Sequence, residues 1–462
     1  MSQTNIHFEI SERKVLLRIF DIVFVLGALY LVGSIFHFDY FIIKKERWFW
    51  SIVLALYLTV FATVFELYDL QKASKFEVVV QNIILTSSVT VLVYLLTPIV
   101  APVLPGNRLQ IVYFFIAINL ALFLWRYAYI MLIATPRFHK RVLLIANRKR
   151  VEDIIASLHK SDPNYKVTGF INVGKNKNEF NFYEIEEYKL HDVEKIISEQ
   201  GISEIVIAAS QSDAITVDLY NRLIHLLEKG VAIREYTQVY EEITHRVPVQ
   251  HVEKDFYRYF PFSRSNQNKL YLFFHRILDV FFSLIGLVFG LLLFPIIIIG
   301  NLLGNRGPLF YTQTRVGKNG KHFRIFKLRS MVKDAEKHGA QFAEKKDSRV
   351  TKFGRFLRKS RFDEIPQFIN VIKGEMSVIG PRPERPIFVK ELSEKIPFYE
   401  VRHLVKPGVT GWAQVNHKYG TGEEDALEKL QYDLYYIKKR SIFLDISIVI
   451  KTLSTIIFFR GQ

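Results

Sequence analysis

The chain has 462 residues, half of them hydrophobic and 14% aromatic, with a mean hydropathy above zero; that is room for two or three domains and more apolar than a purely soluble enzyme needs. Its formal net charge of +17 points to polyanionic partners, with anionic headgroups and phosphorylated substrates ahead of nucleic acid in a chain that carries membrane segments. Cysteine is absent, which excludes disulfides, thiolate metal sites and Cys nucleophiles, and with no HExxH pair or close His cluster a metal ion would be held by oxygen ligands.

Four apolar segments open the chain, at residues 15–36, 48–67, 78–100 and 109–134, each near the length of about 20 residues that crosses a bilayer as a helix. The first is too long for a signal-peptide core and reads as a retained span. Asp21, Glu66 and Arg126 fall within or at the margins of these segments, where headgroup-level positions are expected, with a functional path as the alternative. Arg137, Lys140, Arg141, Arg148, Lys149 and Arg150 crowd the exit of the fourth segment, which puts that side in the cytoplasm, although Lys44, Lys45 and Arg47 would then lie outside.

From about residue 141 to 247 the composition is that of a soluble α/β domain. RVLLIA, KVTGFI, EIVIAA and VAIREY read as short buried strands, with helical spacing at residues 151–158, 192–200 and 215–228. This alternation predicts a small parallel sheet of Rossmann type. The turn after the first strand, Asn147-Arg148-Lys149-Arg150, has none of the glycines that let a backbone approach a pyrophosphate, so regulation or assembly is expected of this domain rather than cofactor chemistry.

An aromatic and charged connector, residues 248–268, leads to a fifth apolar segment at 277–300. Pro295 interrupts it late, where a kink or break is expected. Both flanks are basic, with Lys269, His275 and Arg276 before and Arg306, Arg315, Lys318 and Lys321 after, which favours a re-entrant helical hairpin over a crossing. A straight crossing would put everything after Gly304 outside the cell. The spacing Gly300-xxx-Gly304-xx-Gly307 lacks the strand-to-helix context of a dinucleotide loop and reads as a membrane-exit turn.

Residues 305–360 hold sixteen Lys or Arg against four Asp or Glu. Within them FRIFKLRSM alternates in strand fashion, so Lys327 and Arg329 share a face opposite Arg324 and present two cations to a diphosphate. SRFDEIPQFINVIKGEMSVIGPRP then sets Asp363 and Glu364 among Arg355, Arg358, Lys359, Arg361, Arg382 and Arg385, where carboxylates are expected to stay ionised. A helix is predicted to start at about Asp363, with Pro366 in its first turn and its N–H groups facing the arginines. A carboxylate at a phosphate site indicates phosphoryl-group chemistry; the alternative is a helix cap beside a solvated basic surface. KPGVTGWAQV supplies Gln414, a donor and acceptor for a base or sugar edge. The last part of the tail reads as an interfacial helix, with a core helix as the alternative.

Taken together, HRILDV, the Pro-interrupted apolar hairpin, FKLRSM, SRFDEIPQ, IGPRP, PGVTGWAQV and YDLYYI resemble the monotopic polyprenyl-phosphate phosphoglycosyl transferases, the bacterial sugar transferases, over about residues 269–459. The amino-terminal half resembles the long members that start exopolysaccharide, capsule or O-antigen repeat units, such as undecaprenyl-phosphate glucose or galactose phosphotransferases. The resemblance implies a membrane α plus α/β protein of the bacterial inner membrane. Its parts would be four transmembrane helices (1–136), a Rossmann-like, CoA-binding-like domain (137–247), the connector (248–268) and a monotopic catalytic domain with a re-entrant helix (269–462) on the cytoplasmic face. It also implies that Asp363 attacks the sugar-linked phosphate of a UDP-sugar, releasing UMP, and that undecaprenyl phosphate then collects the phosphosugar. Glu364 would hold Mg²⁺, Lys327, Arg329, Arg358 and Arg382 would clamp phosphates, and Asp433 and Gln414 would complete the site. Many members break the membrane hairpin at Ser-Pro, whereas here Phe294 precedes Pro295, leaving the proline alone to make the bend. The sugar and any homo-oligomeric state stay open. The competing enzyme class, a membrane-anchored NAD-dependent nucleotide-sugar dehydratase or epimerase, finds its Tyr-xxx-Lys spacing at Tyr435 to Lys439 but no glycine-rich NAD loop.

Overall fold

The computed structural model describes residues 10–36, 48–69, 73, 76–97, 100–132, 140–162, 165–174, 185–208, 216–249, 268–305, 307–332, 335, 347–417, 420 and 422–457. The chain forms two compact units, Met1–Thr244 and His245–Gln462. Lys44, Lys45, Arg47, Arg137 and most of the connector lie outside the described residues.

The first unit opens with four apolar helices, α1 (Ile10–Phe36), α2 (Trp48–Val64), α3 (Phe76–Leu96) and α4 (Leu109–Leu132). Three are long and apolar enough to cross a membrane; α2, with 17 residues, is a shorter apolar helix. α1 packs on α4, α2 on α3 and α3 on α4, around Leu17, Leu58, Ile118 and Leu122. Two of the charges expected at headgroup level are inside this bundle. Asp21 and Arg126 are fully buried and paired at 2.6 Å, with the guanidinium 5.4 Å from the centre of the Tyr68 ring. Pairing across α1 and α4 is what lets two charges sit among apolar helices. Glu66 stands in the turn after α2, at a φ of 58°.

Behind the helices comes a five-stranded, all-parallel sheet in the order β3-β2-β1-β4-β5. Its strands are β1 (Lys140–Ala146), β2 (Tyr165–Asn172), β3 (Glu186–Tyr188), β4 (Glu204–Ala208) and β5 (Ala232–Glu235). β1 is central because Val142 to Ala146 are apolar on both faces and fully buried, the pattern of a strand covered on both sides. The helices are α5 (Arg148–Ser161), α6 (Val193–Gln200), α7 (Val217–Glu228) and α8 (Tyr236–Thr244). VAIREY stops being a strand at Glu235, since Tyr236 already opens α8; Tyr236, Val239 and Tyr240 pack into the sheet's core. Asn147 caps α5, its side chain accepting from the Lys149 N–H.

The second unit begins with α9 (Lys269–Gly300), which winds on through a π-turn at Asn301–Asn305. Pro295 does not interrupt it. A proline removes one backbone hydrogen bond, a loss that long apolar helices absorb. An antiparallel hairpin follows, β6 (Phe310–Val316) with β7 (His322–Leu328). Then come α10 (Lys352–Lys359), a 3-10 turn at Phe362–Glu364, α11 (Gln367–Lys373), β8 (Ser377–Ile379), α12 (Pro386–Lys395), a 3-10 segment at Tyr399–Leu404, β9 (Gly408–Thr410) parallel to β8, α13 (Trp412–Asn416), α14 (Glu423–Lys439) and α15 (Ile442–Ile457). The core gathers Leu430, Leu434, Ile437 and Ile448, and Val247 and Val249 belong to it. The Val247 N–H donates to Gln431 O at 3.0 Å, so this unit starts ahead of the boundary placed at residue 248 from sequence. α15 is two-faced, with Ile448 buried and Phe443 and Ile446 exposed.

Both ends of α9 are fixed to this unit. At the start, Asp279 accepts from Ser377 Oγ (2.9 Å) and the Val378 N–H (2.8 Å), Arg276 donates to Val371 O (2.6 Å), and Tyr271 donates to Asp445 (2.5 Å). In the middle, Phe289 meets Phe362 edge-on at 6.0 Å. At the far end Ile297 packs with Leu328 and Leu357, and Asn305 Nδ2 donates to Arg329 O at 2.7 Å. That last bond holds the end of β7 where the chain turns toward the site.

Candidate active site

β7, the 3-10 turn, the loop after β8, α13 and α14 surround a cavity of about 370 Å³. Lys327, Arg329, Arg358, Asp363, Glu364, Arg382, Gln414 and Asp433 all line it, although they are drawn from a stretch of more than a hundred residues.

The helix expected from Asp363 starts later. Asp363 and Glu364 sit on the separate 3-10 turn, and the first α-helical residue is Gln367, with Pro366 as its N-cap. Arg361 enters the turn at a φ of 61°, a left-handed conformation that costs a side-chain-bearing residue energy and turns the next residues inward. Both carboxylates are buried as a result.

Their electrostatics diverge. Glu364 receives Arg382 Nη2 at 2.9 Å, Arg361 Nη1 at 3.3 Å and Lys327 Nζ at 3.4 Å. Burial alone would push its carboxyl up, but Arg382, Arg361 and Lys327 outweigh burial and hold it well below the usual carboxylate range. Asp363 faces the opposite balance: burial and the neighbouring Glu364 charge push it up to about 6, and Lys327, Arg358 and Arg361 offset only part of that. Its Oδ1 accepts no hydrogen bond. Arg382, Arg361 and Lys327 therefore keep Glu364 ionised, while burial and the Glu364 charge make Asp363 lose its proton at a higher pH than a free carboxylate. Lys327 is drawn down to about 8 by burial, partly countered by Glu364 and reinforced by Arg382.

The remaining groups are braced. Arg358 Nε donates to Ser330 Oγ (3.0 Å), and Arg329 Nε donates to Pro308 O (2.9 Å). Asp433 is buried against Arg402, with Arg402 Nη2 to Oδ2 at 2.8 Å; burial pushes its carboxyl up to about 6 against the pull of that guanidinium. The same Nη2 donates to Arg382 O at 3.0 Å, and Nη1 reaches Tyr399 Oη at 2.5 Å. Asp433 thus holds Arg402, and Arg402 holds the backbone of Arg382. Sequence reasoning missed Arg402 and Tyr399, which carry no motif of their own, and passed over Arg361, which stood in view as one more cation before the carboxylates.

Tyr435, the tyrosine of the dehydrogenase-like spacing, stacks on Trp412 at 6.2 Å and lies 3.2 Å from His245 Nδ1, a packing position outside the cavity lining.

The family model described as Bacterial sugar transferase matches residues 270–459. The chain is 41% identical over 228 residues to the UDP-N-acetylgalactosamine-undecaprenyl-phosphate N-acetylgalactosaminephosphotransferase of Aeromonas hydrophila, covering 49% of this chain and 52% of that one. It is 46% identical over 155 residues to the UDP-glucose:undecaprenyl-phosphate glucose-1-phosphate transferase of Escherichia coli (strain K12), covering 32% of this chain and 33% of the relative. The chain thus spans about half the length of the first relative and a third of the second. With the uncharacterized sugar transferase EpsL of Bacillus subtilis (strain 168) it shares 36% identity over 171 residues, 37% of this chain and 80% of that protein. The matched region is the unit that carries the cavity, and it accounts for most of the Bacillus protein: the chain belongs to the bacterial sugar transferase family.

Proposed function

We propose that this protein transfers a sugar 1-phosphate from a UDP-sugar to undecaprenyl phosphate through a covalent intermediate on Asp363. The observation that carries it is a buried carboxylate with an unpartnered oxygen, raised toward neutrality, in a cavity lined by Lys327, Arg329, Arg358, Arg361 and Arg382. An Asp363 oxygen attacks the phosphorus that bears the sugar, and the bond to the bridging oxygen breaks, so UMP leaves with that oxygen and its electron pair. A phosphate oxygen of the polyprenol then attacks the same phosphorus, giving the polyprenyl diphosphate sugar and returning the carboxylate. The arginines and Lys327 stabilise charge on the equatorial and leaving oxygens. The relatives' names include both glucose and N-acetylgalactosamine transferases, so the hexose is not set by family membership.

Mg²⁺ fits this donor set. Among the described residues no third acidic or imidazole group joins Asp363 and Glu364, and Mg²⁺ commonly takes one or two carboxylates with substrate phosphates supplying the rest. Glu364 would hold it in exchange for one of its cationic partners, next to the unpartnered Asp363 Oδ1. When bound it would neutralise diphosphate charge.

We also read α9 as entering the membrane from one side without crossing it, although the hairpin break expected at Pro295 does not form in the helix. Lys269–Asn305 is a 37-residue run, about 55 Å if straight and well beyond a hydrocarbon core of roughly 30 Å. Its midpoint lies against the 3-10 turn that carries the Asp363–Glu364 cluster, for a Cβ at Gly290 would come 2.6 Å from Ile365 Cγ2. A straight crossing would drag that ionic cluster to the bilayer centre, so an inner-leaflet position on the cytoplasmic side suits it better. The amino-terminal sheet, whose strand order is that of a doubly wound nucleotide fold, we read as Rossmann-type with a regulatory or assembly role.

The decisive experiment incubates the protein with a UDP-sugar carrying ³²P in its sugar-linked phosphate and no lipid acceptor, followed by peptide mapping. Label on the peptide bearing Asp363, discharged by added undecaprenyl phosphate, is expected; turnover without protein-bound label would refute the covalent route. A pH profile gives a second check. Attack needs Asp363 ionised and the clamp needs Lys327 protonated, so kcat/KM for UMP release should rise with pH through about 6 and fall again above about 8. A profile flat between pH 5 and 7 would contradict the assignment of the nucleophile.

A further inference from the structure

The cavity holds a second group of polar side chains, Gln414, His417 and Asp425, each with one buried atom that no hydrogen-bond partner reaches; Lys429 of α14 lines the same wall. Gln414 Nε2 donates to Val409 O at 3.1 Å, which leaves Oε1 as the amide's unpartnered end. His417 Nε2 stands 3.2 Å from Glu428 Oε2 and 3.5 Å from Asp425 Oδ1, so in the neutral ring the proton is on Nε2 and the unpartnered Nδ1 is an acceptor. Asp425 engages Lys429 through Oδ2 at 2.5 Å, while its Oδ1, with His417 Nε2 at 3.5 Å, is left without a hydrogen bond. The side chains of His417 and Asp425 are only 8% and 10% exposed, yet both residues line the cavity beside Ala413, Gly420 and Ala426. A Cβ at Gly420 would come 2.5 Å from Asp425 Oδ1, so a side chain there would crowd that buried oxygen.

Buried acceptors without donors are costly, and several on one wall call for a ligand that brings donor hydrogens. The diphosphate cannot be that ligand, since it is itself an acceptor and belongs with the cations. Uracil is a poor match, because its single N–H lies between two carbonyl oxygens that the Asp425 carboxylate would repel. A hexose offers hydroxyl hydrogens at successive ring carbons, or an amide N–H in place of one of them. We infer that Gln414, His417 and Asp425 form the subsite that reads the hydroxyl and amide pattern of the donor's sugar, which rests on the UDP-sugar donor proposed above.

Binding needs no turnover, so calorimetry separates this subsite from the chemistry at Asp363. The full-length protein in nanodiscs is titrated with UDP, UDP-glucose, UDP-galactose and UDP-N-acetylgalactosamine. One of the sugars is expected to improve affinity over UDP by about tenfold or more, the scale of a site that hydrogen-bonds its substrate's polar groups. In Gln414→Met and Asp425→Asn that preference should fall to within about threefold while affinity for UDP stays within about twofold of the parent. Gly420→Ala, which removes no polar group, should act in the same direction by crowding Asp425 Oδ1. Unchanged sugar preference in all three variants, a parallel loss of UDP affinity, or a parent protein that binds no UDP-sugar better than UDP would each overturn the assignment. Failure of the covalent route would look different: no label on Asp363, with sugar preference intact.

Discussion

Replacing Asp363 with Asn is expected to lower UMP release by about three orders of magnitude or more, the usual effect of deleting a covalent nucleophile, and at the same time to make the protein more stable. The second effect follows from burial. Asp363 holds its proton in the folded chain up to about pH 6, against an ordinary carboxylate value of 3.8. Ionising it therefore costs folding free energy once the pH exceeds the unfolded value, and the cost reaches its full size above pH 6, on the order of 3 kcal/mol at most. A neutral amide of the same shape escapes that cost. Thermal melts at pH 7.5 should show Asp363→Asn melting higher than the parent, with the difference shrinking toward pH 4. An inactive variant that also melts lower would mean that Asp363 is a structural carboxylate, and a variant that still turns over would dismiss it as nucleophile.

Asp433→Leu should have the largest effect on stability. Removing this carboxylate leaves Arg402, itself buried, as an uncompensated interior charge, a change that costs about 3–5 kcal/mol. The double variant Asp433→Leu/Arg402→Leu should recover much of the loss, because two apolar side chains have no desolvated charge to satisfy. It should not recover donor binding, since Arg402 also holds the Arg382 carbonyl and Arg382 is a direct partner of Glu364. Urea denaturation of the single and double variants, with KM for the UDP-sugar measured on the same preparations, separates the two roles. Equal instability of single and double variants would show that the pair contributes through shape and hydrogen bonds, and an unchanged KM in the double would remove Arg402 from the support of the phosphate clamp.

Part of this protein is written locally. Hydropathy over about 20 residues depends on nothing but neighbours in sequence, so the apolar helices of the first unit and α9 were legible, as was RVLLIA, whose unbroken apolar run marks a strand covered on both faces. The carboxylate pair and the flanking arginines were legible for the same reason: the turn that carries Asp363 and Glu364 and the loop that carries Arg382 come from one short, distinctive stretch. What the tertiary structure alone decided concerns partners far apart in the chain. Asp21 meets Arg126 across 105 positions, and Arg402 meets Asp433 across 31, and no local pattern announces either pair. The start of α11 at Gln367 depends on the left-handed Arg361 and the burial of the turn behind it. The chemistry follows the same division. Residue type made Asp363 and Glu364 acids; which is held low and which is raised follows from the cations bonding Glu364 directly, while buried Asp363 has an unpartnered oxygen and the Glu364 charge beside it.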